Sequence, residues 1–454
     1  MATAQLQTQI SELYVAFFNR APDAAGFQYW LAQLDAGKIT LQQMKSNWWN
    51  SQPETANMYP SHMLLATFVD AIYNNVLGRA ADEGGKTFWV EALRAGSVTR
   101  EDFIQNIIDA TKTPSGIGHD TAYLTNRAEV GVYFAQHGVH NGEQAINIMK
   151  VVTSDAFSVI GAKALIDGTA TTIGTLVNGG YISGATVFID SDFDNVRDTG
   201  EITAITDSTG RFTITGGIGQ LVAFGGTDVI TDSPNKVVFT GIVSSGVVSP
   251  VSAVIAKGVA GGTSVAIVEM NVQNALGIAG DIDLNTANPL GVIILSSSTS
   301  AEKLAALKLQ ASDVQINNIF STAVSMMEGA GETMSDAKRA SIVSNAAGTI
   351  VDAMMNAAAT GVAFDLSNAT FIKSVFIGVA SEASNSVIAS YMNTNAQSIA
   401  TLISEYNTRI DVHVSSATVA TIQAVLIQIG KIQEVVQDSL GDALSNGLNA
   451  ATLT

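Results

Sequence analysis

The chain has 454 residues, 47% of them hydrophobic and only 14% charged, with a formal net charge of -18 and a pI near 4.5. That much apolar material excludes a disordered polypeptide and supplies cores for roughly two to four domains, and the acidic balance excludes nucleic acid as a partner. With no cysteine there are no disulfides, thiolate metal sites or cysteine nucleophiles, and no apolar run reaches the roughly eighteen residues of a membrane span.

The sequence opens Met1-Ala2-Thr3-Ala4-Gln5 and passes into an amphipathic helical pattern without a basic segment, apolar run or cleavage site. Any export is therefore expected to use no N-terminal signal peptide. The first hundred residues contain an internal repeat whose offset, 59 residues, is the distance from Tyr14 to Tyr73. Arg20, Ala21, Asp23, Gly26, Trp30, Leu34, Gly37 and Thr40 recur as Arg79, Ala80, Asp82, Gly85, Trp89, Leu93, Gly96 and Thr99. Each copy predicts a helix carrying the Tyr, an Asp/Gly turn, a second helix carrying the Trp, a Gly stop, and a Thr capping a third helix. Neither copy can bury its aromatic face alone, so the two are expected to pack together.

The segment Leu13-Tyr14-Val15-Ala16-Phe17-Phe18-Asn19-Arg20-Ala21-Pro22-Asp23, continuing through Gly26 to Tyr29-Trp30, resembles the bacterial helical domain of unknown function 4214 over about residues 10 to 115. The stretch Asn126-Arg127-Ala128-Glu129 to Tyr133-Phe134-Ala135 resembles the helix that often follows it. That domain recurs in secreted surface-layer, adhesin and calcium-binding repeat proteins, so the resemblance implies a type I-secreted, non-catalytic protein.

After about residue 168 the texture changes to Gly, Thr and β-branched residues in short runs, predicting a small β-sandwich to about residue 248. Within it lies Asp190-Ser191-Asp192-Phe193-Asp194-Asn195-Val196-Arg197-Asp198-Thr199-Gly200-Glu201, with oxygen ligands at positions 1, 3, 5, 9 and 12 of a twelve-residue loop. A hard divalent cation takes roughly six to eight oxygens at that spacing: side chains of Asp190, Asp192, Asp194 and Asp198, the Val196 carbonyl, and a bidentate Glu201. The sixth position holds Asn195 where Gly usually makes the turn, and Asn tolerates left-handed backbone. The flanks Thr186 to Ile189 and Arg211 to Thr215 alternate, which predicts strands on both sides of the loop rather than paired helices. Ser183 to Ile189, the acidic loop, and the turn Asp207-Ser208-Thr209-Gly210 resemble the calcium-binding Ig-like repeats of bacterial surface proteins, which implies Ca2+ as the cofactor. Extracellular sites bind calcium at about 0.1–1 mM, so a cell-surface location follows.

From Val248-Ser249-Pro250 the pattern turns helical again. Pro250 suits a helix start and Thr299 to Glu302 forms a capping box. Helices are predicted to about Met327, then at 335 to 358, 370 to 411 and 416 to 445, packed as a bundle. The fold class is thus α+β multidomain: an α-helical domain with two related repeats at 1–167, an Ig-like β-sandwich with a calcium loop at 168–248, and an α-helical bundle at 249–454.

Other motifs are weaker. Gly84-Gly85-Lys86-Thr87 lacks the upstream glycine of a phosphate loop, because Ala80 stands there. His137 and His140 have no further ligands nearby in sequence, and neither a Gly-x-Ser-x-Gly elbow nor His-Glu-x-x-His occurs. The expectation is no enzyme. Trp30 and Trp89 occupy equivalent core positions, whereas the adjacent Trp48 and Trp49 cannot both face one core, so one of them is expected at the surface. Two functions fit: a self-assembling surface-layer protein held to lipopolysaccharide of a Gram-negative surface, forming a homo-oligomer or lattice; or a secreted calcium-binding adhesin that binds an external glycan or protein. The Gly-Gly-x-Gly-x-Asp calcium repeats frequent in such secreted proteins do not occur.

Overall fold

Capping residues divide the N-terminal repeat into helices at corresponding points of its two copies. The structure, a computed structural model, describes residues 3–113, 118–138, 141–243, 245–260, 263, 265–278, 282–362 and 364–447. The first copy comprises α1 (Thr3–Phe18), α2 (Ala24–Asp35) and α3 (Leu41–Ser51). A short α4 (Pro53–Met58) leads to the second: α5 (Leu65–Leu77), α6 (Glu83–Arg94) and α7 (Arg100–Thr111). Asp23 and Asp82 sit in extended backbone and accept the N–H groups of Gly26 and Gly85, while Thr40 and Thr99 cap α3 and α7. In each case a short side-chain oxygen satisfies a donor that the first helical turn leaves free. Then α8 (Gly118–Gln136), α9 (Gly142–Lys150) and α10 (Ala156–Ile166) complete the helical run.

Aromatic rings fill the middle of this run. Phe17, Trp48, Phe68 and Phe103 are fully buried, and Phe17 meets Trp48 edge-on at 5.6 Å between centroids. Among them Arg127 is buried on α8, donating to the Asn75 carbonyl at 2.8 Å and to Asn19 Oδ1 at 2.8 Å. It thereby satisfies acceptors at the ends of α5 and α1 together.

Contacts divide the chain into two units, residues 1–170 with 216–218 and 262–267, and the remainder. The strands and the C-terminal helices therefore share one unit. Its strands are β1 (Thr171–Leu176), β2 (Ile182–Ser183), β3 (Thr186–Asp190), β4 (Thr203–Ile205), β5 (Arg211–Thr215), β6 (Gln220–Phe224), β7 (Thr227–Asp228), β8 (Phe239–Ile242) and β9 (Val247–Val248). They form an antiparallel sheet of order β4-β3-β6-β8, a sheet of order β5-β1-β9 in which β1 and β9 run parallel, and the pair β2-β7. Strand β5 alternates exposed and buried residues as its sequence predicts. Strand β3 does not alternate: Val187, Phe188, Ile189 and Asp190 are all buried. The reason is a layer of helices, since Phe188 and its cross-strand partner Val222 pack on Ala340 of a C-terminal helix. A sheet covered on both faces reads as a continuous apolar run.

The helices that follow are α11 (Pro250–Ala260), α12 (Val265–Leu276), α13 (Pro289–Ile294), α14 (Ser300–Gly329), α15 (Asp336–Thr360), α16 (Ala369–Val379), α17 (Ser386–Ser415), α18 (Ile422–Glu434) and α19 (Gly441–Ser445). The single helix expected over 370 to 411 is two. A 3-10 turn at Ala380–Glu382 breaks it, and Asn385 restarts it by accepting the N–H groups of Val387 and Ile388. The one expected over 416 to 445 starts at Ile422 and widens into a π-helical turn over Val435–Leu440 before α19.

Helix α14 opens with the Thr299–Glu302 capping box, and from Ala305 to Met327 every residue but the half-buried Lys308 is buried. Nine of its 22 buried residues are polar, and an amide network satisfies part of their bonding capacity, while both side-chain polar atoms of Asn317 and the Thr322 hydroxyl have no partner. Gln310 donates to the Asn178 and Gly179 carbonyls, Gln315 to the Asn407 carbonyl and Asp411, and Asn318 to Asn407 Oδ1. Asn407 donates in turn to the Leu366 and Gln315 carbonyls. The end of α18 and the segment after it reach back to the strand region: Gln433 donates to Asp228 at 3.3 Å, Ser233 donates to Asp438 at 2.8 Å, and Lys236 pairs with Asp442 at 2.9 Å. Among the described residues no helix is long and apolar enough to cross a membrane.

Candidate metal centre

The acidic loop joins β3 to β4, two antiparallel neighbours in the four-stranded sheet. Asp190 is the last residue of β3 and is fully buried, whereas Asp192 and Asp194 are exposed. Their ligand oxygens lie within 4.8 Å of one another. Oxygens bound to one calcium ion at about 2.3–2.6 Å stand no farther apart than roughly 5 Å, so a single ion can reach all three. Asn195, at the turn position, has φ +61° and Phe193 has φ +65°. The left-handed backbone that Gly normally supplies is therefore adopted here by Asn, the residue type other than Gly that tolerates it best.

Backbone donors preset the loop. Asp190 accepts from Phe193 N at 2.7 Å and Asn195 N at 2.9 Å, and Asp194 accepts from Val196 N at 2.6 Å. Carboxylate oxygens carry enough lone pairs to hold these bonds and a cation together. Asp198 and Glu201 stand outside the three-carboxylate group. Glu201 Oε1 accepts from Ser191 N at 2.8 Å and its Oε2 from Asp198 N at 3.0 Å, so this side chain clips the two ends of the loop. Val196 is represented in the loop by its amide, bonded to Asp194. Burial pushes the Asp190 carboxyl above its ordinary range, against the pull of bonds from Gln220 and the loop amides, and the neighbouring Asp192 carboxyl adds to the rise. A divalent ion at this position would favour the ionised form of the carboxyl.

Gln220 is the residue that sequence reasoning missed. Its amide donates to Asp190 at 2.8 Å and to Asn195 at 3.0 Å, fixing the first and sixth loop positions from the neighbouring strand. Only the cross-strand register Asp190↔Gln220 reveals it. Beside the loop, Asp194, Asn195, Lys257, Ser344 and Glu382 line a cleft of about 350 Å3, so the loop abuts α11 and α15.

The repeated signature in the helical unit has a structural explanation. The Tyr14 hydroxyl occupies the space a Cβ on Gly26 would need, 2.5 Å away, and Tyr73 does the same to Gly85 at 2.8 Å. Arg20 lies over the Tyr14 ring and Arg79 over Tyr73, and these guanidiniums pair with Glu54 and Asp120 at 2.8 Å. Gly84 to Thr87 opens α6, and Lys86 pairs with Asp70, so no phosphate cradle forms. His137 stacks on Tyr133 at 3.6 Å; His140 lies outside the described residues. Trp48 is 1% exposed and Trp49 is half-buried, a division of labour that their adjacency on one helix requires.

The model of a domain of unknown function, DUF4214, matches residues 5–56 and again 46–113, which spans the repeated helices. Searches of the curated proteins and of the solved structures find no match.

Proposed function

We propose that the chain is a non-catalytic, calcium-stabilised structural protein of a Gram-negative cell surface, similar to a type I-secreted surface-layer protein. In this reading the helical unit attaches to lipopolysaccharide or another surface glycan, and copies assemble into a lattice outside the cell. One observation carries it: three carboxylates are gathered within reach of a single cation in a preset loop, one of them buried at a strand end. Calcium at residues 190–201 stiffens the β3–β4 connection and the loop's seat against α11 and α15. Sites of this class fill only where calcium is near millimolar, outside the cytosol. At ~1 mM such a site contributes roughly 0.5–1.5 kcal/mol to the folded state.

The test is thermal melting with and without calcium. The wild type should melt higher in millimolar calcium, and the double variant Asp190→Ala, Glu201→Ala should lose that increment. A double variant that gains as much from calcium as the wild type would remove the loop from the account. The alternative, an adhesin module that binds an external glycan or protein, shares the calcium site. Chelating calcium on intact producing cells separates the two, because shed ordered lattice supports assembly and soluble ligand binding without assembly supports adhesion.

A further inference from the structure

The two copies of the repeat agree where they build the shared core and differ around one cleft. Trp49, Thr55, Ala56, Tyr59, Pro60, Ser61 and Arg100 line a cavity of about 590 Å3, a volume within the ordinary range for small-ligand sites. At the positions 59 residues away, Ile108 corresponds to Trp49 and Leu41 to Arg100. The cleft is thus private to one face of the repeat and is no by-product of its common architecture.

Its chemistry points in one direction. The Trp49 and Tyr59 rings are nearly parallel, 16° apart with centroids 6.1 Å from each other, and Tyr59 is held by its hydroxyl donating to the Phe17 carbonyl at 2.9 Å. Tyr59 is 5% exposed and braces Trp49, which is half-buried and offers the cleft a fixed π-face for the C–H groups of a sugar ring, whose partial positive charge meets the negative aromatic face. Arg100 stands at the same cleft. It lies over Phe68 at 4.9 Å and donates to the Met63 carbonyl at 3.0 Å, and among the described residues no carboxylate comes within ion-pair distance of it. Its planar fork, left without an acidic partner at the cleft, matches a carboxylate.

The independent sign of a ligand is Thr55. This cleft residue is only 1% exposed, and its hydroxyl has no hydrogen-bond partner. Buried hydroxyls in native proteins are ordinarily paired, so a free one at the wall of a cavity marks a place where an incoming hydroxyl or carboxylate completes the bonding. We propose that this cleft binds a carboxylate-bearing sugar residue, a hexuronate, with its ring on Trp49, its carboxylate on Arg100 and a ring oxygen on Thr55. The proposal gives the glycan of the reading above a chemical class and rests on that reading only for the sugar's source.

Calorimetric titration of the full chain tests it, using free D-glucuronate, D-glucose and acetate in buffer containing a calcium chelator, so that failure of the calcium loop cannot imitate failure of the cleft. Glucuronate should bind at least about tenfold more tightly than glucose or acetate, and Arg100→Gln should bring it down to the level of glucose. Thr55→Val should weaken glucuronate several-fold while raising the melting temperature, because it removes an unpaired buried hydroxyl; a residue that matters only for folding would not move the two readouts in opposite directions. No heat from glucuronate overturns the proposal. So does equal binding of acetate or glucose, or an Arg100→Gln chain that binds glucuronate as the wild type does.

Discussion

The helical unit and the strand-bearing unit bury polar atoms in different ways. In the first, apart from the buried Arg127 and its partners, the recurring polar groups sit at helix ends and turns, where Asp23, Asp82, Thr40, Thr99 and the two arginines Arg20 and Arg79 satisfy local donors and acceptors. In the second they run through the middle, with Gln310, Asp313, Gln315, Asn317, Asn318 and Thr322 buried along α14. Caps are local in sequence and tolerate change one at a time. An amide seam joins residues about ninety positions apart and fails as a set.

The largest expected effect follows from that contrast. Asn407→Ala removes two donated bonds and one accepted bond at a fully buried site, and should cost about 2–4 kcal/mol in denaturant unfolding. A variant that unfolds like the wild type would show that the seam is dispensable. Next, Gly26→Ala drives a methyl into the Tyr14 hydroxyl and should cost about 1–3 kcal/mol. Adding Tyr14→Phe should recover part of that loss, and absence of recovery in the double-mutant cycle would break the explanation of the repeated Tyr/Gly pair.

A third effect sharpens the comparison through pH. Asp313 is fully buried on α14 and accepts from Val251 N, the start of α11, at 2.9 Å. Burial pushes its carboxyl up to about 7, against the pull of bonds from Val251 and Ser249. A carboxyl raised in the folded state contributes stability that is complete below its ordinary range and is lost as pH rises through about 7. Asp313→Asn keeps the cap without the charge, so it should melt like the wild type near pH 4 and above it near pH 8. A wild type and variant with parallel melting curves across that range would contradict the burial argument.

What could be read from the sequence follows the same division. The repeat, its caps, the Thr299 capping box and the split between Trp48 and Trp49 depend on residues within a few positions of each other, and each leaves a local pattern. The three aspartates of the loop were legible for the same reason, as was the left-handed Asn195. Gln220 was not, because its role comes from a strand register, and neither was the covered face of β3, because Ala340 lies far along the chain. The apolar, charge-poor composition of the C-terminal region announced helices but not that α14 would be enclosed. Periodicity shows which face is apolar; it says nothing about polar residues whose partners arrive from another helix.

The contacts of Asp228, Ser233 and Lys236 with Gln433, Asp438 and Asp442 span 205 or 206 positions. Loop entropy must be surrendered before such distant contacts return any stability, so they belong to the slow end of folding. During synthesis the β2–β7 region waits for 205 or 206 further residues before these partners exist, and until then its polar groups at Asp228, Ser233 and Lys236 face water.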